Sequence, residues 1–381
     1  VKRRLPVTTI TASELTAWRA CPHRWGLRYV DGLVPRVGAR PLRVGTAIHA
    51  GLAAAYRLAR GTPDTAAERR VAAKVAAREA ILAAHQEAIA SLQVEELLDE
   101  SDEVARLATW VSEHFVDRFA EDWEHLDPIG IELPFELQLR DVLGRRVPGL
   151  QFAGVMDLLA FDRRVGDVIV MDHKTTSGSI DGLDRKIELD PQMAGYVWAA
   201  RELAAMGALQ RAEGWVVTPD AVSGRVAFNV IRKAIPRAPK LNKDGRVSTA
   251  AIDTLPEVYA DALDEQERRG IPVTEEQRSL LDRLRNKGES YIARREFWLS
   301  TSDVERWRTE LFVEASRIRQ AERDPACRTR NPLACSVASA PVCAYRQICL
   351  DPDAAEFREG FERRPRREEV ERAKAEVSDG S

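Results

Sequence analysis

The sequence predicts an α/β chain built on a mixed β-sheet with helices packed against it, and three observations carry that prediction. The first third is alanine-rich with apolar residues at helical spacing; short β-rich runs divided by Gly, Arg and Asp follow between Ile129 and Thr176; a helix then separates this meander from further strands. With 381 residues, 44% of them hydrophobic, the chain can bury a large core as one elaborated domain or two. A net charge of −3 gives no global preference for nucleic acid, so charge has to be read segment by segment.

"TASELTAWRACPHRW" opens with a capping-box pattern, Thr11 and Glu14, ahead of Leu15, Trp18, Cys21 and Trp25 at helical spacing, with Pro22 as an interruption. "VGTAIHAGLAAAYRLARG" predicts a second helix with Thr46 as cap, Ile48, Leu52 and Ala55 as the apolar stripe, and His49 in the first turn. Residues 64–126 predict two or three more helices, with Leu97, Leu107, Trp110, Phe115 and Trp123 on apolar faces. The runs "IGIELPFELQL", "GLQFAGVMDLLAFD" and "DVIVMDHKTT" predict an antiparallel meander. "DPQMAGYVWAARELAAMG" returns to helix through a favoured Asp190-Pro191 entry, and "GWVVTP" and "RVAFNVIRK" predict strands again.

This order predicts a single domain over 1–355, with a helical part at 11–126, an α/β core at 127–235, a loop and helical insertion at 236–290, and a C-terminal helix and cysteine region at 291–355. A charged, flexible tail is expected over 356–381. The opening "VKRRLPVTTI" lacks the apolar stretch of a signal peptide, and no run of about 18 apolar residues occurs, so a cytoplasmic location without membrane contact is expected. There is no internal repeat, and no phosphate-cradling G-x-x-x-x-G-K-[ST] run that would power a motor.

Chemistry first becomes specific in "VIVMDHKTT", residues 168–176. Asp172 and Lys174, two residues apart on a strand, leave the same face, and form either a surface ion pair or part of a catalytic site. Asp157 in "GVMD" ends the preceding strand. Two carboxylates at adjacent strand ends cannot both stay ionised cheaply unless a cation sits between them, and oxygen ligands of this kind suit Mg²⁺ or Mn²⁺. Beside such an ion Lys174 would have a lowered pKa, fitting it to orient water or take its proton.

Taken in order, "GTAIHAGL", "GVMDLLAFD", "VIVMDHKTT" and "PQMAGYVWA" resemble the motifs of the PD-(D/E)XK nuclease superfamily in its RecB-like branch, across about residues 11–350. That branch includes CRISPR-adaptation exonucleases and stand-alone phage exonucleases. The resemblance implies a restriction-endonuclease-like core in which His49, Asp157 and Asp172 ligate the metal and Lys174 is the catalytic lysine. It implies that Gln192 and Tyr196, i and i+4 on one helix, contact the backbone of the cleaved strand. Glu132 in "GIELPF" stands where the family has another acidic residue, with Glu136 close by on the same face by alternation.

Five cysteines are an odd number, and four crowd near the C-terminus, which in a reducing compartment favours metal or cluster ligation over disulfides. Iron–sulfur members of the RecB-like branch have one N-terminal cysteine and three C-terminal ones. The resemblance therefore implies that Cys21, Cys335, Cys343 and Cys349 hold a 4Fe-4S cluster joining the chain ends. The gap between Cys335 and Cys343 is longer than in many relatives; Cys327 is an alternative ligand, and tetrahedral zinc could use either set.

Lastly, "RKAIPRAPKLNKDGR" sets Arg232, Lys233, Arg237, Lys240, Lys243 and Arg246 against Asp244 alone, either a track for a phosphate backbone or a solvated loop. The expected function is a metal-dependent DNA nuclease, an exonuclease on single strands or duplex ends, serving recombination, repair or processing of DNA in a phage or bacterium. A non-catalytic DNA-binding scaffold and an endonuclease subunit working with a helicase partner are the alternatives.

Overall fold

Long runs of alternating or continuous apolar residues after residue 126 become five strands of one six-stranded sheet, the frame on which everything else is hung; the sixth, Thr8–Ile10, pairs parallel with the strand Arg146–Asp162. The computed structural model describes residues 7–36, 40–59, 65–90, 98–180, 187, 190–211, 214–250, 253–286, 291–335, 343–352 and 355–365. A short β1 (Thr8–Ile10) leads into helices α1 (Ala12–Ala20) and α2 (Pro22–Trp25), a π-helical turn at Gly26–Val30, and β2 (Leu33–Pro35). Helices α3 (Arg40–Leu58), α4 (Ala66–Ala90), α5 (Leu98–Arg118) and α6 (Asp122–His125) form the N-terminal helical layer.

The expected meander follows as β3 (Leu126–Arg140), β4 (Arg146–Asp162) and β5 (Asp167–Thr176), each antiparallel to the one before. Helix α7 (Pro191–Ala205) then crosses to β6 (Arg225–Arg232), which lies parallel to β5, as a strand–helix–strand crossover requires. Helices α8 (Pro256–Arg268) and α9 (Glu275–Asn286) make the insertion, packed around their own small core of Val247, Tyr259, Leu263, Leu280 and Leu284. Strand β7 (Ile292–Trp298) closes the sheet antiparallel to β6, and α10 (Thr301–Arg323) returns across it.

The sheet separates two cores because side chains alternate between its faces. On one face Val168, Val170, Val226 and Phe228 pack with α7 and α10. On the other, Ile169, Met171, Ala227 and Ile231 pack with Ile48, Leu52 and Tyr56 of α3 and Phe115 of α5. Gly195 allows α7 and α10 to approach closely: a Cβ there would lie 2.7 Å from the Trp307 ring. The chain ends meet where β2 pairs antiparallel with β8 (Phe361–Arg363), beside α11 (Arg346–Leu350), and the Tyr345 hydroxyl donates to the Leu33 carbonyl.

Several local expectations shift. The helix holding His49 begins at Arg40, so Thr46 lies inside it and not at its N-terminus. In "GWVVTP" Val216 makes only an isolated bridge to Gln210, and Trp215 is exposed. Residues 361–363, expected in the charged tail, are strand β8; residues 366–381 of that tail and 336–342 between Cys335 and Cys343 lie outside the described residues.

Candidate active site

Near its end, strand β5 sends three successive residues to its two faces. Asp172 and Lys174 share the α7 face, and the Lys174 ammonium lies 3.0 Å from Asp172 Oδ2 and 3.5 Å from Asp190 Oδ2. His173 points the opposite way into the helical layer, stacked on Tyr56, while its backbone N–H donates to Asp157 Oδ2 at 2.8 Å. The period-two geometry of a strand thus sends an ion pair to one face and an imidazole to the other.

Helix α7 supplies the next partners. Asp190 caps it, accepting from the Gln192 N–H at 2.9 Å, and Pro191 follows as expected. Gln192 accepts from the Lys174 ammonium and donates to Asp172 Oδ1 at 2.8 Å and to the Tyr196 hydroxyl at 2.7 Å. The i, i+4 pair therefore meets, but its hydrogen bonds hold Asp172 and Lys174 in place, and Tyr196 is buried. Direct contact with a nucleic-acid backbone, expected of both residues from the sequence, is a separate role on which these bonds do not bear.

From the other face, α3 anchors through Ile48, Leu52 and Tyr56 and brings His49 Nδ1 to 3.4 Å from Asp157 Oδ2. Glu132 of β3 completes the group: ligand atoms of His49, Glu132 and Asp157 all lie within 4.8 Å of one another. Ligands bound about 2.1 Å from a Mg²⁺ ion are roughly 3–4 Å apart in octahedral geometry. The histidine and two carboxylates fit such an ion with modest adjustment.

This grouping differs from the expected set of His49, Asp157 and Asp172. Glu132 forms the group of three with His49 and Asp157, while Asp172 is hydrogen-bonded by Gln192 and ion-paired with Lys174. Glu136, the neighbour that alternation placed on the same face, is exposed.

Charge in the cluster is frustrated. Burial, then the Asp157 charge, pushes the Asp172 carboxyl up to about 6, and the same two causes raise Glu132. Burial also disfavours ionised Asp157, but the His49 hydrogen bond and charge and the His173 backbone N–H outweigh it and lower its pKa. For Lys174 burial opposes the charge, yet Asp172 and Asp190 prevail and raise its pKa, so the side chain is an ammonium. The lowering expected from the sequence belongs to Lys174 beside a divalent ion, a different electrostatic setting.

Asp172 Oδ2 is buried at ion-pair distance from Lys174 without a directed hydrogen bond. An orphaned carboxylate oxygen beside three hard-ligand groups is chemistry that a divalent cation satisfies. A family model described as the PD-(D/E)XK nuclease superfamily matches residues 9–350.

The chain belongs to the PD-(D/E)XK nuclease superfamily.

Members of this superfamily are metal-dependent nucleases, which accounts for a cation site of carboxylates and a histidine beside a lysine. No curated protein matches the chain. Among the described residues no helix is long and apolar enough to cross a membrane.

The structure also involves residues that the motifs did not flag. His173 is buried, its Nδ1 3.1 Å from Asn229 Nδ2, and burial lowers its pKa to about 4, so the ring is neutral. Asn229 accepts from Arg294 Nε at 2.7 Å, and Arg294 grips Asp122 through both terminal nitrogens at 2.7 and 2.6 Å. Of the basic segment, Arg232 is spent on Asp253 and the Tyr291 ring, and Lys233 donates its backbone N–H to Thr176 at the end of β5. Lys240 and Lys243 flank a turn packed near the insertion, where Leu241 bridges Val247. Arg237 donates its backbone N–H to the Asp253 carbonyl.

The cysteines are all free thiols: Cys21 is buried, Cys335 exposed, and Cys327, Cys343 and Cys349 intermediate. Burial raises the Cys349 pKa against the pull of Arg330, and the neighbouring Cys335, Cys21 and Cys343 add to the rise. Cys327 instead faces Asp324.

Proposed function

We propose that the chain is a DNA exonuclease that hydrolyses phosphodiester bonds of single strands or duplex ends, with Mg²⁺ or Mn²⁺ held by His49, Glu132, Asp157 and Asp172. The observation that carries the reading is the convergence of these four groups with Lys174 at the end of β5, in a chain of this superfamily. When bound, the cation would polarise the phosphate and promote attack by water.

The protein's own residues have separate tasks. The Lys174 ammonium offers positive charge to a non-bridging oxygen, which is worth most where charge develops in the transition state. Gln192, fixed by Tyr196, accepts from Lys174 and donates to Asp172, and so holds both members of their ion pair in position. The His173 N–H and His49 keep Asp157 ionised and oriented. DNA would approach along Lys233, Arg237, Lys240 and Lys243, with Arg232 as a structural support for that segment.

A second part of the proposal concerns the chain ends. Cys21, Cys335, Cys343 and Cys349 would ligate a 4Fe-4S cluster with a structural role, supported by the mutual influence of these four thiols. A cytoplasmic setting and a place in recombination, repair or DNA processing complete the reading, with a helicase as a possible associate.

End-labelled linear and circular DNA incubated with Mg²⁺ or Mn²⁺ tests the activity. Wild type should degrade linear strands from an end, and Asp172→Ala and Lys174→Ala should lose at least about a hundredfold in rate, as removal of electrostatic stabilisation does elsewhere, while still binding DNA. Wild type inert on every substrate, or variants as active as wild type, would refute it.

A further inference from the structure

A cleft of about 320 Å³ opens directly beside Lys174 and Gln192, on the side away from His49. Leu15 of α1, Trp307 of α10 and Pro191 of α7 give it apolar walls; Leu15 and Trp307 are 2% and 5% exposed, so they line it from within the core. Ser13 and Thr16, both exposed on the first turns of α1, stand at its rim, and Asp190 adds a carboxylate. Ligand clefts run from roughly 300 to 1,000 Å³. This one is at the small end, right for one nucleoside and too small for duplex.

The composition decides which part of a nucleotide fits. A phosphate would meet the Asp190 carboxylate, and the one cation in the lining, Lys174, is already paired with Asp172 and Asp190. A nucleobase has a flat apolar face for the Leu15, Pro191 and Trp307 walls, and N–H groups at its edge for Asp190, Ser13 and Thr16. Base contact with apolar and aromatic walls is worth about 1–3 kcal/mol per base and tolerates any sequence.

We infer that this cleft is a nucleobase subsite, taking one unstacked base of a single-stranded DNA next to the bond to be cleaved. The inference rests on the nuclease reading for its substrate and adds to it a place where the strand must be unpaired. A base held in the cleft cannot remain in a duplex stack, so strands would have to be separated, or frayed at an end, before the adjoining bond reaches the site.

The test is binding in EDTA, where cleavage is absent. Fluorescence anisotropy is measured with a labelled twelve-nucleotide strand and with strands of the same length carrying one abasic site at successive positions. Wild type should bind one of these abasic strands about tenfold more weakly than the intact strand, the lower part of the stacking range. Thr16→Trp, which puts an indole at the rim from an exposed helix position, should weaken the intact strand to the abasic level and leave the abasic strand unchanged. Ser13→Trp should do the same from the next position along the rim. Wild type indifferent to every abasic position would overturn the inference, as would both variants keeping the wild-type discrimination. Equal weakening of intact and abasic strands would also overturn it, because the added ring would then obstruct the backbone and not a base. If wild type shows the discrimination but hydrolyses nothing with Mg²⁺ or Mn²⁺, the subsite stands and the nuclease reading falls.

Discussion

Removal of Arg294 is the perturbation whose size the structure fixes best. Asp122 is 2% exposed, and its carboxylate receives both Arg294 nitrogens and the Tyr56 hydroxyl. The guanidinium also lies 4.0 Å from the Phe119 ring centroid and donates to Asn229. Arg294→Met keeps the apolar stem but leaves a buried carboxylate with one hydroxyl partner. Breaking a buried ion pair from one side costs about 3–5 kcal/mol, a large share of the roughly 5–15 kcal/mol by which proteins are stable.

Removing both charges should cost less than removing one. In Asp122→Leu/Arg294→Met no ion is stranded, and the remaining loss is the unpaired Tyr56 hydroxyl and Asn229 amide, about 1–3 kcal/mol. Urea unfolding followed by tryptophan fluorescence, with the slope checked for constancy, would measure both variants. The double variant should be more stable than the single by about 2 kcal/mol, the difference between these costs. An Arg294→Met variant within 1 kcal/mol of wild type, or a double variant as unstable as the single, would show that the pair is not a desolvated ion pair at all.

Two further outcomes follow from other buried groups. Glu14 is 8% exposed with its carboxyl on the Trp25 indole N–H, and burial raises its pKa from 4.5 to about 7. A carboxyl that binds its proton more tightly when folded adds stability below pH 4.5 and loses it as pH rises through 7; the loss is about 3 kcal/mol. Glu14→Gln should therefore match wild type near pH 4.5 and exceed it at pH 8 in parallel urea titrations; a difference constant with pH would count against the buried-acid account. At the chain ends, protein prepared anaerobically should be brown with charge-transfer absorption that Cys343→Ala abolishes, and elemental analysis finding zinc instead of iron would reject the cluster.

Much of the site was legible because its chemistry follows local spacing. Asp172 and Lys174 on one strand face, and Asp190-Pro191 as the entry to the helix bearing Gln192 and Tyr196, need only the periods of strand and helix. The N-terminal cap shows where locality ends: Thr11 does accept from the Glu14 N–H, at 3.1 Å, but the Glu14 carboxylate turns to Trp25 and leaves the capping box half made. Asn229, Arg294 and Asp122 were illegible for a related reason. Each looks like an ordinary polar residue on its own segment, and only the sheet register, which sets Asn229 opposite both His173 and Arg294, makes them one chain.

The hardest feature to foresee is a break in alternation that creates the cation site. In β3, Ile131 packs in the helical-layer core and Leu133 in the α7 core, although two residues apart on a regular strand they would share a face. Their partners on β4, Leu158 and Met156, divide in the same way, so the change of face falls at Glu132 and Asp157. Glu132 has φ 46°, the single non-glycine residue with positive φ among the described residues. A left-handed residue with a side chain costs on the order of 1–2 kcal/mol, and here it also carries a carboxylate whose pKa is raised by burial and by Asp157. Stability alone would remove both costs with a glycine. A strained backbone that aims a second carboxylate at Asp157 and His49 is explained by a cation those groups share, since the cation's attraction offsets both the strain and the repulsion. The irregular strand therefore fits the proposed cation at this position, on grounds independent of the D-x-K spacing that first drew attention to β5.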